Sequence, residues 1–229
     1  MDFSPILVSL RTASVSIVCT FFLGILAARW VGNFRRGALI GLFDGLFTLP
    51  LVLPPTVVGF LLLSLLGVGG PVGRFFLNYF SLRVVFSWWA TVIASVVISF
   101  PLMYRAARGA FEQVDPDLLR AARTLGMGEN RIFWRVLLPL ALPGVLSGAV
   151  LAFARGLGEF GTTILIAGNI AGETRTLPLA VYSAVAGGDT SSAYFYAAVT
   201  VGVALLVIWA MHYFAALMGR YRGGRHHGS

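Results

Sequence analysis

Five long apolar segments alternate with shorter polar stretches along the chain. They cover residues 5–28, 39–66, 84–104, 140–167 and 194–218, to within a few positions. Each is long enough to cross a hydrocarbon core of about 30 Å as a helix, which needs about 20 residues. The pattern predicts an all-α integral membrane protein with about five transmembrane helices. We expect residues 1–229 to form a single transmembrane domain.

Composition agrees with a lipid environment. The chain is 58% hydrophobic and 11% charged, whereas a soluble domain is about 45–50% apolar and about 25% charged. The net charge of +8 comes from arginine alone, since the sequence contains no lysine. In a membrane protein such charge sets the topology, so we expect no nucleic-acid partner.

The arginines are distributed unevenly between the two faces that five spans define. One side holds the residues Arg29, Arg35, Arg36, Arg105, Arg108, Arg120, Arg123, Arg131, Arg135, Arg220, Arg222 and Arg225. The other side holds only Arg74, Arg83 and Arg175. Because cytoplasmic loops carry the excess of positive charge, the N-terminus is predicted outside and the C-terminus in the cytoplasm.

A charged region at residues 105–139 separates the third and fourth segments. Asp115 is suited to cap a helix, Pro116 to occupy its first position and Gly126 to end it in a left-handed conformation. A second helix is expected from about Glu129. The region therefore predicts a helix, a glycine turn and another helix at the cytoplasmic surface.

This region resembles the cytoplasmic signature of ABC importer permeases, written EAA, three residues, G, nine residues, I, one residue, LP. The matching positions are Ala121, Ala122, Gly126, Val136 in place of Ile, Leu138 and Pro139, while Arg120 replaces the glutamate. The resemblance implies a type I importer permease fold, in which this loop couples to a separate ATPase. The alternative is an ordinary amphipathic hairpin lying on the membrane.

Three prolines interrupt the second segment, at Pro50, Pro54 and Pro55. Proline removes a backbone donor and clashes with the preceding turn, so a kink or a break is expected. Freed backbone groups in lipid need partners, which predicts that the break faces the protein interior or a water-lined path. A simple bend without a functional role is the other interpretation.

Charged residues also occur inside the fourth segment. Arg155 and Glu159 stand at helical i,i+4 spacing, followed by Thr162 and Thr163, with glycines at positions 156, 158 and 161. Ionisable residues inside a span face a bundle interior or a water-filled path. These residues are candidates for the translocation path or for helix packing, and we favour an ion pair that orients the span.

Longer stretches resemble the permeases of molybdate importers within the oxyanion branch of that family. The stretches are LPLVLPPTVVGFLLL, SFPLMYRAARGAFEQVD, AARTLG, LPLALPGVLSGAVLAFARGLGEFG and GNIAGETRTLPLAVY. The resemblance implies a homodimer, two ATPase subunits, an extracytoplasmic molybdate-binding protein and a bacterial or archaeal cytoplasmic membrane. Permeases for sulfate, thiosulfate or tungstate remain the alternative, because these substrates are all oxyanions of the same general shape.

The sequence offers no catalytic constellation of its own. It lacks a phosphate-binding loop, whose lysine this chain cannot supply, and it has no Cys/His cluster for a metal. We expect no cofactor in this subunit, with ATP and Mg²⁺ bound by the partner ATPase. A membrane-embedded enzyme or a signalling scaffold would be the rival classes.

Overall fold

A computed structural model describes residues 2–34 and 37–223, the stretch 211–223 as backbone only. Arg35, Arg36 and Arg225 lie outside the described residues, as do the side chains of Arg220 and Arg222. The regular structure of the described part is helical: α1 Ser4–Gly32, α2 Gly37–Val52, α3 Pro55–Leu66, α4 Pro71–Phe80, α5 Trp88–Glu112, α6 Pro116–Thr124, α7 Glu129–Ile132, α8 Leu138–Leu157, α9 Gly161–Ile166, α10 Leu177–Ala186 and α11 Thr190–Gly223. A π-helical turn, Phe133–Leu137, joins α7 to α8.

The described helices provide four or five candidate membrane spans by length and hydropathy, in agreement with the predicted number of about five. Four helical stretches of the described chain are long and apolar enough to cross a membrane: α1, α5, the continuous stretch Glu129–Leu157, and Thr190–Ala210 within α11. The pair of α2 and α3, which bends by 111° between its two helices, makes a fifth when it is counted as one broken span. The prolines at 54 and 55 supply the break, since neither can donate a backbone hydrogen bond.

The break has one exposed and one packed side. In the single chain Val52 is 81% exposed and Pro54 is also exposed, whereas Pro55 is partly buried. No residue of α2 is buried. The exposed surface is apolar, which suits either lipid or another protein surface.

Several predicted boundaries are corrected. The third span begins at Trp88 rather than 84 and continues to Glu112, so Arg105 and Arg108 belong to the membrane helix α5 and not to the coupling region. The fourth span, expected at 140–167, begins earlier and is broken between Leu157 and Gly161. The helices α4 and α10 were not predicted. Each is only ten residues long, too short to be recognised as a membrane span.

Hydroxyl side chains join α1 to α5 along the centre of the bundle. The Thr12 and Thr91 hydroxyls lie 2.8 Å apart, Ser95 donates to Ser16 over 2.9 Å, and the Thr20 and Ser99 hydroxyls lie 3.0 Å apart. We call these three pairs the hydroxyl ladder. Every pair is separated by 79 positions, so the two helices run in the same direction at a fixed register. Small polar residues at such an interface allow close packing and hydrogen bonding in lipid.

The same register continues beyond the ladder at Gly24, which faces Met103 and Tyr104. A Cβ at this position would lie 3.0 Å from Met103 Cβ and 3.1 Å from the backbone nitrogen of Tyr104. The glycine therefore permits the close approach of α1 to α5.

Gly24→Ala should lower the thermal stability of the detergent-solubilised protein, because overpacking costs about 1–3 kcal/mol. Gly202→Ala in α11 is the matched control, since a Cβ there meets no atom of the described residues within 4 Å outside its own stretch of helix backbone. The control should be neutral or gain slightly from the helical preference of alanine. Equal melting temperatures for the two variants would contradict a role for this contact.

Candidate functional site

The first candidate site is the coupling region, and its local geometry follows the sequence. The Asp115 side chain accepts a hydrogen bond from the backbone nitrogen of Asp117 over 2.9 Å, which caps α6 behind Pro116. Gly126 ends the turn with φ of +78°, the left-handed region that glycine tolerates best. The expected helix cap and glycine turn are therefore confirmed.

The apolar face of α6 is turned largely outward. Ala122 is buried against the chain, whereas Leu118 is 48% and Leu125 81% exposed. The ions around them are satisfied locally: Arg120 pairs with Asp117 at 2.7 Å, and Arg123 pairs with Glu129 across the turn at 2.6 Å. The Arg123 guanidinium donates hydrogen bonds to the Glu129 carboxylate, and these bonds raise the pKa of Arg123. Leu118 and Leu125 therefore form an exposed apolar tip, next to a turn that the Arg123–Glu129 ion pair stabilises.

The second half of the coupling region, which consists of α7 and the π-helical turn, is held against α1. Phe133 is 3% exposed, and the Arg29 guanidinium lies 4.2 Å from its ring centroid. Arg29 also donates to Asn130 over 2.9 Å. Arg29 was expected only to set the topology, so its contacts between the end of α1 and the coupling region were not predicted.

The signature residues Val136, Leu138 and Pro139 follow in the π-helical turn and the start of α8. Val136 and Leu138 are partly buried, and Pro139 is exposed. Pro139 cannot donate the α-helical hydrogen bond of its position, which favours a local departure from α-helical geometry just before it.

The second candidate site lies where the fourth span breaks. Arg155 and Glu159 form the expected ion pair at 2.9 Å, but they do not share one helix face. Glu159 lies beyond the end of α8, in the break before α9. Its carboxylate also accepts a hydrogen bond from the backbone nitrogen of Thr162 over 2.7 Å. Glu159 therefore holds the start of α9 as well as Arg155.

The break in the fourth span meets the break in the second. The Thr162 hydroxyl donates to the Pro55 carbonyl oxygen over 2.9 Å. A Cβ on Gly161 would lie 3.0 Å from Pro55 Cβ, and a Cβ on Gly59 would lie 3.0 Å from Thr162 Cα. The structure thus brings Pro55, Glu159 and Thr162 together.

The remaining predicted residues of this site lie at its edges. Thr163 is buried next to Thr162 in α9. Pro50 lies inside α2, ahead of the break, and Pro54 is exposed at the start of α3. The side chain of Arg155 is 34% exposed, whereas that of Glu159 is 2% exposed. Among the described residues no cluster of three His, Cys, Asp or Glu side chains could hold a metal ion.

Residues 20–220 match the family described as binding-protein-dependent transport system inner membrane component. The chain belongs to this family. It is therefore a multi-pass inner-membrane component of a transport system that depends on a binding protein.

Curated relatives extend over nearly the whole permease. It is 42% identical to the molybdenum transport system permease protein ModB of Escherichia coli K12, over 98% of this chain and 97% of that protein. It is 47% identical to ModB of Haemophilus influenzae over 80% of each chain. ModB of Azotobacter vinelandii is 36% identical, over 92% of this chain and 93% of the relative.

Solved structures show the same fold. The permease superposes on a chain of the MetNI methionine ABC transporter in an inward-facing conformation with a TM-score of 0.74, covering 93% of this chain and 94% of the other. A bacterial ABC transporter that imports alginate gives 0.73, over 93% and 78%. Both are 17% identical, so they establish the type I importer permease fold and nothing about substrate.

One charged residue of the permease escaped the sequence analysis. Asp44 lies in α2, where its carboxylate accepts hydrogen bonds from the Tyr104 hydroxyl and the Arg108 guanidinium of α5. An acidic residue in an apolar span is by itself a signal for a functional or structural site. Its partners lie 60 and 64 positions further along the chain, so they could not be identified from local spacing.

We expect Arg155 and Glu159 to act as a structural pair in this permease. Arg155→Ala should lower thermal stability, because it leaves the buried Glu159 carboxylate without its cation, and losing one partner of a buried pair costs about 3–5 kcal/mol at most. Adding Glu159→Gln should restore part of the loss, since no unpaired charge remains and the amide oxygen can still accept from Thr162.

Glu159→Ala is the matched comparison, because it removes the acceptor for the Thr162 nitrogen as well as the charge. It should be less stable than Glu159→Gln by about 1–3 kcal/mol, the cost of an unsatisfied buried donor. Strictly additive stability losses for Arg155→Ala and Glu159→Gln would overturn the pairing.

Proposed function

We propose that this permease forms the membrane path of an ATP-driven importer for molybdate. The observation that carries the proposal is its 42% identity to Escherichia coli ModB across 98% of the chain, with further ModB relatives at 36–47%. Molybdate is proposed as the substrate because those relatives are molybdenum transport permeases. Sulfate or thiosulfate and tungstate are the alternative substrates of the same architecture.

The coupling residues Arg120, Ala121, Ala122, Gly126, Val136, Leu138 and Pro139 are proposed to form the contact with the ATPase. The exposed Leu118 and Leu125 on α6 support this proposal, because a tip of this kind suits insertion into a cleft on another protein. The chain contains no lysine for a phosphate-binding loop. ATP and Mg²⁺ are therefore proposed to bind to a separate ATPase subunit.

The assembly is proposed to contain two copies of this chain, two ATPase subunits and an extracytoplasmic molybdate-binding protein. Leu42 and Phe60 of the broken span are 64% and 62% exposed in the single chain, and an apolar surface of this kind can lie against a second copy or against lipid. The arginine distribution supports an N-terminus outside and a C-terminus in the cytoplasm.

The joined breaks around Pro55, Glu159 and Thr162 are proposed to shape the path rather than to bind the oxyanion. The Glu159 carboxylate, which is almost wholly buried, would repel an anion, and it already engages Arg155. Deep binding would also hinder release, because transport needs sites that let the substrate go. Selection among oxyanions is proposed to reside largely in the binding protein.

Uptake by the reconstituted importer tests the substrate. Proteoliposomes that contain this permease and its ATPase, supplied with the binding protein outside, should accumulate radiolabelled molybdate only when ATP is enclosed. Unlabelled molybdate should compete, and sulfate should compete weakly. Strong uptake of sulfate with little uptake of molybdate would replace the proposed substrate by the alternative, and uptake without ATP would contradict the class of transporter.

Gly126→Val should impair ATPase co-purification or molybdate uptake, because a β-branched residue is strongly disfavoured at a φ of +78°. Apart from its two chain neighbours, no described residue has an atom within 4 Å of a Cβ at this position, so the expected defect comes from the backbone conformation. Gly126→Asn is the matched variant, since asparagine tolerates this region and should retain more activity. Equal defects in both variants would indicate that the glycine is needed for contact with the ATPase and not for its turn.

A further inference from the structure

The broken span is fastened to the rest of the permease at two separate places. On α2, Asp44 is bound by Tyr104 and Arg108 of α5. On α3, the Pro55 carbonyl oxygen is bound by Thr162 of α9 over 2.9 Å. The 111° bend lies between the two attachments.

The attachment of α2 depends on few interactions. Its other contacts are mainly aromatic, with Phe43 against Trp30 of α1 and Phe47 against Tyr104, the ring centroids 4.7 and 5.2 Å apart. The Asp44–Arg108 bond is, within the described residues, the one salt bridge that joins two membrane spans. Charge-assisted hydrogen bonds of this kind fix orientation better than ring contacts, because their geometry is directional.

Helix α5 leads directly into the coupling region. It ends at Glu112 and α6 begins at Pro116, so three residues separate the membrane helix from the coupling helix. Arg108 therefore lies about one helical turn from the end of α5. A displacement of α6 would reach Arg108 through a short length of backbone.

From this arrangement we infer that Asp44 and Arg108 are positioning residues that make α2 follow α5. The coupling region then moves α2, while Thr162 keeps α3 with α9, and the break at Pro54 and Pro55 is the joint that takes up the difference. This inference rests on the proposed function, since it assigns a transport step to the joint. It gives the broken span a mechanical role that its proline sequence alone does not indicate.

A role of Arg108 in binding the substrate fits the structure less well. Arg108 is shared between Asp44 and Glu112, the latter at 2.9 Å on its own helix. These three groups sum to one negative charge, which would repel an oxyanion. The Tyr104 hydroxyl accepts a further hydrogen bond from Arg108 over 3.2 Å, so the guanidinium is already engaged on several sides.

The test compares two variants that each remove one carboxylate from Arg108. Asp44→Asn weakens the bond between spans, whereas Glu112→Gln weakens a bond within α5 alone. In the complete transporter, Asp44→Asn should lower the molybdate moved per ATP hydrolysed by about tenfold, within the range of typical coupling energies. Glu112→Gln should leave that ratio unchanged, and Asp44→Asn/Arg108→Gln should be no worse than Asp44→Asn.

A second readout does not depend on the substrate. Spin labels at Leu42→Cys and Gln113→Cys, with Cys19→Ser, report the distance between α2 and the end of α5. In the parent protein this distance should stay within about 2 Å between the nucleotide-free and ATP-trapped states, the scale of ordinary helix shifts. With Asp44→Asn added, the distribution should broaden or shift.

The outcomes separate this inference from the proposed function. Absence of molybdate uptake by the parent transporter would count against the proposed substrate, and the spin-label distances would still decide whether α2 follows α5. Parent-like distances in Asp44→Asn would overturn the inference. A raised KM for molybdate in Arg108→Gln, with Asp44→Asn normal, would overturn it in favour of substrate binding.

Discussion

Backbone groups left without a partner in lipid are the constraint on which this fold depends. Two of its spans are broken, and the backbone groups freed at a break need partners inside the membrane. In the fourth span the backbone nitrogen of Thr162, near the start of α9, donates to the Glu159 carboxylate, and the Thr162 hydroxyl joins this break to the other by donating to the Pro55 carbonyl oxygen. The buried Glu159 then requires a cation, which Arg155 supplies. The ion pair therefore follows from the break in the fourth span.

The permease combines a closely packed frame with a loosely held span. The hydroxyl ladder fixes α1 to α5 in one register, and Gly24 continues that contact. By contrast, α2 buries no residue and depends on rings and Asp44. Motion during transport is expected where the packing is weakest, because elements that move are drawn from the less stable parts of a fold.

The sequence predicted what is encoded locally. The prolines at 54 and 55 predicted the break, and Asp115 and Gly126 predicted the turn of the coupling region. The break after Leu157 was missed, because a glycine pair inside an apolar run does not identify the end of a helix. The contact of Asp44 with Arg108 could not be inferred, because 64 positions separate the two residues. Tertiary pairing of this kind is invisible to periodicity.

The shared direction of α1 and α5 also restricts how many times the chain can cross the bilayer between them. Two helices that run the same way both enter from one face and leave at the other, so the segment between them must return the chain across the bilayer an odd number of times. The bent pair of α2 and α3 makes that return, whatever its shape. Deleting the pair as a unit would leave α5 either inverted or unable to keep its register with α1, and inversion would carry the coupling loop to the wrong side of the membrane.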